Sequence, residues 1–193
     1  MTRVGILTYE GVDELDLVGV FGPLSKAAQC SEHRARLEVV LTGPQPVFLG
    51  SGGIRMDGAT PLEELRTCAA LVVPGGRGAE HAAANTTVLN AVRRAAERGT
   101  ALFTVCTGAL LVAAAGIRPG RIAVHGNKHH ALRAFTSAEI AHGLVRDPEL
   151  VSIGGHPSPG LKSVDMAFEV LRQFAPECVP CVAGRMELIS PVN

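Results

Sequence analysis

Thr100-Ala-Leu-Phe-Thr-Val-Cys106-Thr-Gly-Ala-Leu-Leu-Val-Ala-Ala-Ala-Gly116 reads as an apolar strand through Val105, a turn at a cysteine, and a helix of small residues over 107–115. Gly116, with Pro119 just beyond it, stops that helix. A strand that feeds directly into a helix is the repeating step of α/β architecture. Thr107, Gly108 and Ala109 are small enough for the turn to be sharp. Cys106 therefore stands at a strand end, beside unsatisfied N–H groups and the positive pole of a helix. Both features lower a thiol pKa, and the thiolate is the nucleophilic form.

The same alternation continues on both sides. Val4 to Thr8 predicts a first buried strand, and Leu17 to Gln29 carries apolar residues at helical spacing. A second strand is expected over 37–42 and a hairpin over 47–56, around Ser51-Gly-Gly53. Ala69 to Val73 reads as a central strand stopped by Pro74-Gly-Gly76, and 87–98 as an amphipathic helix closed by Gly99. After the Cys106 unit come a short strand over 121–124, a short helix over 128–135, a strand over 151–153 and a closing helix over 164–174. The tail, 175–193, holds three prolines and has no assignment. These units predict a doubly wound, mostly parallel sheet between helices, one domain over 1–193 with its core at about 4–174. In open sheets of this kind the site lies beyond the carboxyl ends of the strands. Three turns should meet there: Gly11 to Asp16, Pro74 to Gly78, and Val105 to Gly108.

Composition bounds the function. The chain has 193 residues, 47% of them hydrophobic, with 18 basic and 18 acidic residues and a net charge of zero. Such a chain can build a large core, so disorder is excluded. No basic excess points to nucleic acid, and no apolar run is long enough to span a bilayer. The N-terminus opens on a strand-like segment without a signal-peptide pattern, so the expected location is cytoplasmic. Five cysteines are too few for a disulfide scaffold, and free thiols in a reducing compartment are expected.

The candidate site residues sit at the predicted strand ends. Cys106 is either a nucleophile or a buried structural cysteine. Its turn parallels the nucleophile elbow of serine hydrolases, with Thr104 in place of the first glycine. Gly76 can bring a backbone N–H close to a ligand, and with the Thr107 amide it could form an oxyanion hole. Gly-Gly-x-Gly is not a dinucleotide fingerprint, so no cofactor is expected. Asp16, between Leu15 and Leu17, is either a helix cap or a functional carboxyl, and Asp13 and Glu14 compete for both roles. His125 follows an apolar strand, where a base could reach a thiol. His129 and His130 belong on a helix surface, and no metal site is expected from this cluster. Cys178-Val-Pro-Cys181 has redox spacing but lies in the proline-rich tail, which favours incidental placement.

Taken in order, Leu15-Asp16-Leu17-Val-Gly19, Ser51-Gly-Gly53, Pro74-Gly-Gly76, Cys106-Thr-Gly-Ala with Gly120-Arg121, and more loosely Pro159 to Asp165 resemble the ThiJ/PfpI superfamily. The resemblance covers about 4–174. It implies a flavodoxin-like fold related to class I glutamine amidotransferases. It implies Cys106 as nucleophile, Asp16 as the carboxyl at the thiol, and the Gly76 and Thr107 amides as the oxyanion hole. Within the superfamily, Leu-Asp-Leu-x-Gly with Cys-Thr-Gly-Ala is most similar to isocyanide hydratases and to the amidase-like domains of certain transcription regulators. Val20 and Phe21 stand where relatives often have Pro and His. His125-Gly126 replaces a His-Trp pair, and His156 occupies a loop that is usually small and apolar, so the pocket lining is this chain's own.

Two classes of function follow. One is an enzyme in which Cys106 attacks a small electrophilic carbon and Asp16 shuttles a proton, as in hydration of an isocyanide; glyoxalase-like or amidase-like chemistry on a small carbonyl compound is the alternative. The other is a non-catalytic redox sensor or chaperone-like module in which Cys106 is oxidised. The expected partners are a small-molecule substrate and a second copy of the chain. The expected charge state is a Cys106 thiolate beside a neutral Asp16.

Overall fold

The apolar runs form strands and the periodic runs form helices, in the expected alternation. The computed structural model describes residues 1–30, 37–156 and 161–188. β1 (Thr2–Leu7) leads into α1 (Glu14–Ala28) and β2 (Leu37–Gly43). A hairpin of β3 (Val47–Leu49) and β4 (Arg55–Asp57) follows, then the two-residue β5 (Thr60–Pro61). β6 (Ala70–Val73), α2 (Ala79–Ala82) and α3 (Thr86–Glu97) precede β7 (Ala101–Val105) and α4 (Ala109–Ala114). The last third comprises β8 (Arg121–Ala123), α5 (His129–Arg133), β9 (Glu139–Ala141), β10 (Gly143–Asp147), β11 (Leu150–Gly154), α6 (Lys162–Phe174) and α7 (Val179–Arg185).

The main sheet has the order β10-β11-β7-β6-β1-β2-β5, parallel throughout except for the edge pair β10–β11. The chain winds from β1 to β2 in one direction, and from β6 to β7 in the other. The reversal falls between β1 and β6, where a crevice opens at the carboxyl ends of the strands. Val4, Ile6, Leu71, Val72, Val73, Phe103 and Val105 are buried. Their near-continuous apolar sequence is what a parallel strand covered on both faces requires. α1 packs against α6, and α3 against α4.

Helix starts follow local chemistry. Asp13 Oδ1 accepts from the Leu15 and Asp16 amides, each at 3.0 Å, and Asn85 Oδ1 from those of Thr87 and Val88, so both residues cap their helices. Pro180 sits in the first turn of α7, where its missing N–H costs nothing. That is why the proline-rich tail, unassigned from sequence, is helical over 179–185. β9 and β10 were also not anticipated. β10 is an edge strand whose polar residues Arg146 and Asp147 hide it from an apolar-run reading; its Arg146 pairs with the buried Glu169 of α6 through two 2.8 Å bonds.

The cysteines require a correction. Cys30, just past α1, and Cys181, in α7, form a disulfide across a sequence separation of 151. The expectation of five free thiols does not hold; Cys68, Cys106 and Cys178 are the free ones. The fold brings together two cysteines whose spacing in sequence carries no signal, and Cys178 is not Cys181's partner. The tail beyond 188, and Pro159-Gly160 of the late motif, lie outside the described residues.

Candidate active site

Beyond β1, β6 and β7 the three expected turns meet and are tied by backbone. The Asp13 amide donates to Gly75 O at 2.8 Å, and the Gly78 amide to Gly11 O at 3.0 Å. Ser51 Oγ donates to Gly11 O at 2.6 Å and accepts from the Arg77 amide at 3.0 Å, so the Ser51-Gly-Gly53 segment joins the first and second loops. The buried Tyr9 hydroxyl donates to Pro74 O at 2.8 Å from below.

The competition among the three acids is resolved by their partners. Asp13 is the helix cap. Glu14 accepts from the Gly52 and Ile54 amides at 2.8 and 3.3 Å, which holds the β3–β4 hairpin beside α1. Asp16 turns inward, and its Oδ2 accepts from the Gly75 amide at 3.0 Å. Gly75 and Gly76 cannot be replaced freely. A Cβ on Gly75 would stand 2.8 Å from Asp16 Oδ2 and from the Thr107 amide, and Gly76 has φ of 145° with Gly11 O 2.3 Å from where its Cβ would be.

Cys106 has φ of 59°, one of two described non-glycine residues with positive φ. A side chain in that conformation is held there at a cost of about 1 kcal/mol or more, and such outliers cluster at functional sites. The strain aims the sulfur out of the β7–α4 turn into a cleft of about 440 Å³ lined by Leu15, Asp16, His125, His156 and Lys162. Asp16 and Cys106 thus share one wall. His125 lies exposed at the rim, its Nδ1 accepting from the Asn127 amide at 3.3 Å. His156 packs edge-on toward His142, centroids 6.4 Å apart, and His142 in turn lies 5.6 Å from His129. Among the described residues no group of three or more His, Cys, Asp or Glu side chains is placed to hold a metal ion.

The electrostatics raise both members of the pair. Burial and then the nearby charge of Asp13 push the Asp16 carboxyl up to about 6, with the Gly75 amide and Lys162 pulling it back. Burial and then the Asp16 charge push the Cys106 thiol up to about 11, against the hydrogen bond from the Thr107 amide. Burial raises the proton affinity of both groups, so the pair resists losing both protons together. The helix pole is too weak to depress the thiol, because Cys106 enters a single 3-10 turn (Cys106–Gly108) before a six-residue α4. The other proposed amide is occupied: the Gly76 N–H donates to Thr107 Oγ1 at 2.8 Å.

The sheet and its helices are shared with known proteins. The family model described as DJ-1/PfpI matches residues 2–173. The chain belongs to the DJ-1/PfpI family. It is 28% identical over 154 residues to the isonitrile hydratase of Pseudomonas putida, a match that covers 79% of this chain and 65% of that one, less than two thirds of the relative's length. Drosophila melanogaster DJ-1beta superposes with a TM-score of 0.81 at 18% identity, covering 97% of this chain and 98% of the other. A ThiJ/PfpI family protein from Pseudomonas syringae gives 0.79 at 20%, covering 100% and 76%. These two confirm the flavodoxin-like DJ-1/PfpI fold.

Three contributors to this DJ-1/PfpI site escaped the sequence reading. Gly75 was visible only as half of a double glycine, Tyr9 as a residue after the first strand, and Lys162 as an unremarked position in the late motif. None carries a local signal, since each acts on a residue distant in sequence.

Proposed function

We propose that the protein is a cysteine-dependent hydratase acting on a small isocyanide, with Cys106 as nucleophile and Asp16 as the proton carrier. The observation that carries this reading is the strained Cys106 facing a carboxyl whose proton affinity is tuned to about 6. The similarity to an isonitrile hydratase supports it. As the sulfur adds to the terminal carbon of R–N≡C, the thiol proton passes through Asp16 to that carbon and gives the thioimidate R–N=CH–S–Cys. Asp16, again a carboxylate, deprotonates the water that attacks this carbon. Asp16 passes that proton to the nitrogen, the C–S bond breaks as the added hydroxyl returns its own proton to sulfur, and the product is the formamide R–NH–CHO. The sum is one isocyanide plus one water.

A carbonyl substrate would instead need two donors for its oxyanion. With the Gly76 amide committed to Thr107 Oγ1, the Thr107 amide is the one open donor at the sulfur unless the Thr107 hydroxyl turns away, which favours the isocyanide over glyoxalase-like or amidase-like chemistry.

We also propose that residues 1–193 form one domain, because α7 packs on α1 and α6, and that the protein is a homodimer. Leu15 and Val18 on α1 and Ile54 on the hairpin are 57%, 56% and 60% exposed and lie beside one another through the Glu14 bonds. The Pro74 to Gly78 turn exposes only Arg77 and offers no comparable apolar face. The decisive assay follows loss of the isocyanide and appearance of the formamide by NMR, with methylglyoxal in parallel and Cys106→Ala as control. Turnover that survives Cys106→Ala, or turnover of methylglyoxal alone, would overturn the hydratase reading.

A further inference from the structure

Lys162 is the first residue of α6 and a wall of the Cys106 cleft. Its side chain is half-buried, and among the described residues no carboxylate lies within ion-pair distance of it. A partly desolvated ammonium without a counter-ion is costly. Its place in the helix does not offset that cost, because the first turn of a helix favours acids over lysines. Among the described residues Asp16 is the one acid on the cleft wall, and its Oδ2 accepts from the Gly75 amide. The other ionisable groups on the wall are His125, His156 and Cys106 itself, while Leu15 and Leu161 give the cleft an apolar side. Lys162 is close enough to the pair to act on both the Asp16 and Cys106 protons, and it lines the same cleft.

We propose that the substrate of this cleft carries a carboxylate, which Lys162 receives while the electrophilic carbon meets Cys106. The inference rests on the hydratase reading for its chemistry and narrows the substrate to an isocyano carboxylate with a short apolar body. The balanced reaction is C≡N–CHR–COO⁻ plus water giving HC(O)–NH–CHR–COO⁻, an N-formyl amino acid. The carboxylate takes no part in bond making; Lys162 is a specificity-determining residue that touches the end of the substrate away from the reacting carbon.

The test compares isocyanoacetate with its methyl ester, the same electrophile without the charge. In the wild type, kcat/KM should favour the acid. Lys162→Met should lower kcat/KM for the acid by about tenfold or more beyond its effect on the ester, the scale of one lost hydrogen bond to a charged group; the ester reports whatever Lys162 contributes through the Asp16–Cys106 protons. Lys162→Arg should restore the preference. Equal losses for acid and ester would show that Lys162 acts only on the Asp16–Cys106 protons, and a wild-type preference for the ester would sink the proposal outright. A second measurement needs no turnover: the ratio of Cys106 alkylation rates with iodoacetate and iodoacetamide. That ratio should fall several-fold in Lys162→Met. If it falls while no isocyanide is turned over, the hydratase reading fails and the anion subsite stands. If it does not change, the subsite fails whatever the turnover.

Discussion

The Gly75 amide donates to Asp16 Oδ2 at 3.0 Å, so the carboxyl on the Cys106 wall is held by the backbone of a different loop, 59 residues away in sequence. That bond fixes the carboxyl's orientation and pulls its proton affinity down, against burial and the Asp13 charge, which raise it.

Gly75→Ala should damage this arrangement more than a surface turn substitution would. The added methyl would lie 2.8 Å from Asp16 Oδ2, the Thr107 amide and Thr107 Oγ1 together. Backbone on one side and a tethered carboxylate on the other leave little room to yield, so about 1–3 kcal/mol of stability should be lost. Chemical denaturation measures the loss, and turnover should drop with it. A variant as stable and active as wild type would show that the turn is looser than the contacts imply.

Asp16→Asn separates proton transfer from thiol ionisation. Turnover should fall by roughly 10²–10⁴, the usual share of a positioned acid–base group. Removing the negative charge beside Cys106 should lower the thiol pKa from about 11, so alkylation by iodoacetamide at neutral pH should become faster than in wild type. In the wild type, kcat/KM should decline about tenfold per pH unit below about 6, as the carboxylate base is protonated.

The same substitution makes a stability prediction with a definite sign. Asp16 titrates at about 6 in the folded protein against an ordinary 3.8, so the folded state binds its proton more tightly. The stabilising contribution is present below 3.8 and is lost as pH rises to about 6; above that, ionisation costs up to about 3 kcal/mol. Asp16→Asn should therefore stabilise the protein by about 1–3 kcal/mol at pH 8 and change little at pH 3.5. Equal effects at both pH values would mean that the carboxyl is not strained by its ionisation.

The Cys30–Cys181 bond ties the end of α1 to α7 and closes a loop of 151 residues. Opening it with a thiol reductant, or by Cys181→Ser, should cost about 3–5 kcal/mol and lower Tm by roughly 10 °C. Titration of the denatured protein, without reductant, should find three thiols and not five. Five would show that the pair is reduced in the isolated protein.

Val18→Glu places a charge in the middle of the exposed α1 face. Because Val18 is 56% exposed in the single chain, the fold should keep its stability to within about 0.5 kcal/mol. Light scattering should then report a monomer where the wild type gives a dimer. A wild-type monomer at micromolar concentration would remove the dimer proposal.

Much of the architecture was legible because parallel strands and their helices are local patterns. The four apolar residues of Ala70–Val73 and the four in Ala101–Val105 can be read as buried strands without knowing their neighbours. The Cys106 turn, the double glycine and the first acidic loop could be placed at one end of the sheet for the same reason, since strand direction fixes which ends converge. β10 was not legible, because an edge strand with a polar face lacks the apolar run that marks a central one.

The sequence by itself determined the strand–helix alternation, the cysteine at a strand end, and a short list of acids near it. The tertiary structure decided which acid serves: Asp13 is drawn off as the cap and Glu14 by the hairpin amides, which leaves Asp16 to the cleft. It also decided how far burial raises the proton affinities of Asp16 and Cys106. A helix pole can be read from sequence, but desolvation and the field of Asp16 depend on what folds over Cys106, and here they outweigh the pole. The Cys30–Cys181 pairing and the uncompensated Lys162 belong to the same class, since contacts between distant residues leave no local trace in the sequence that makes them.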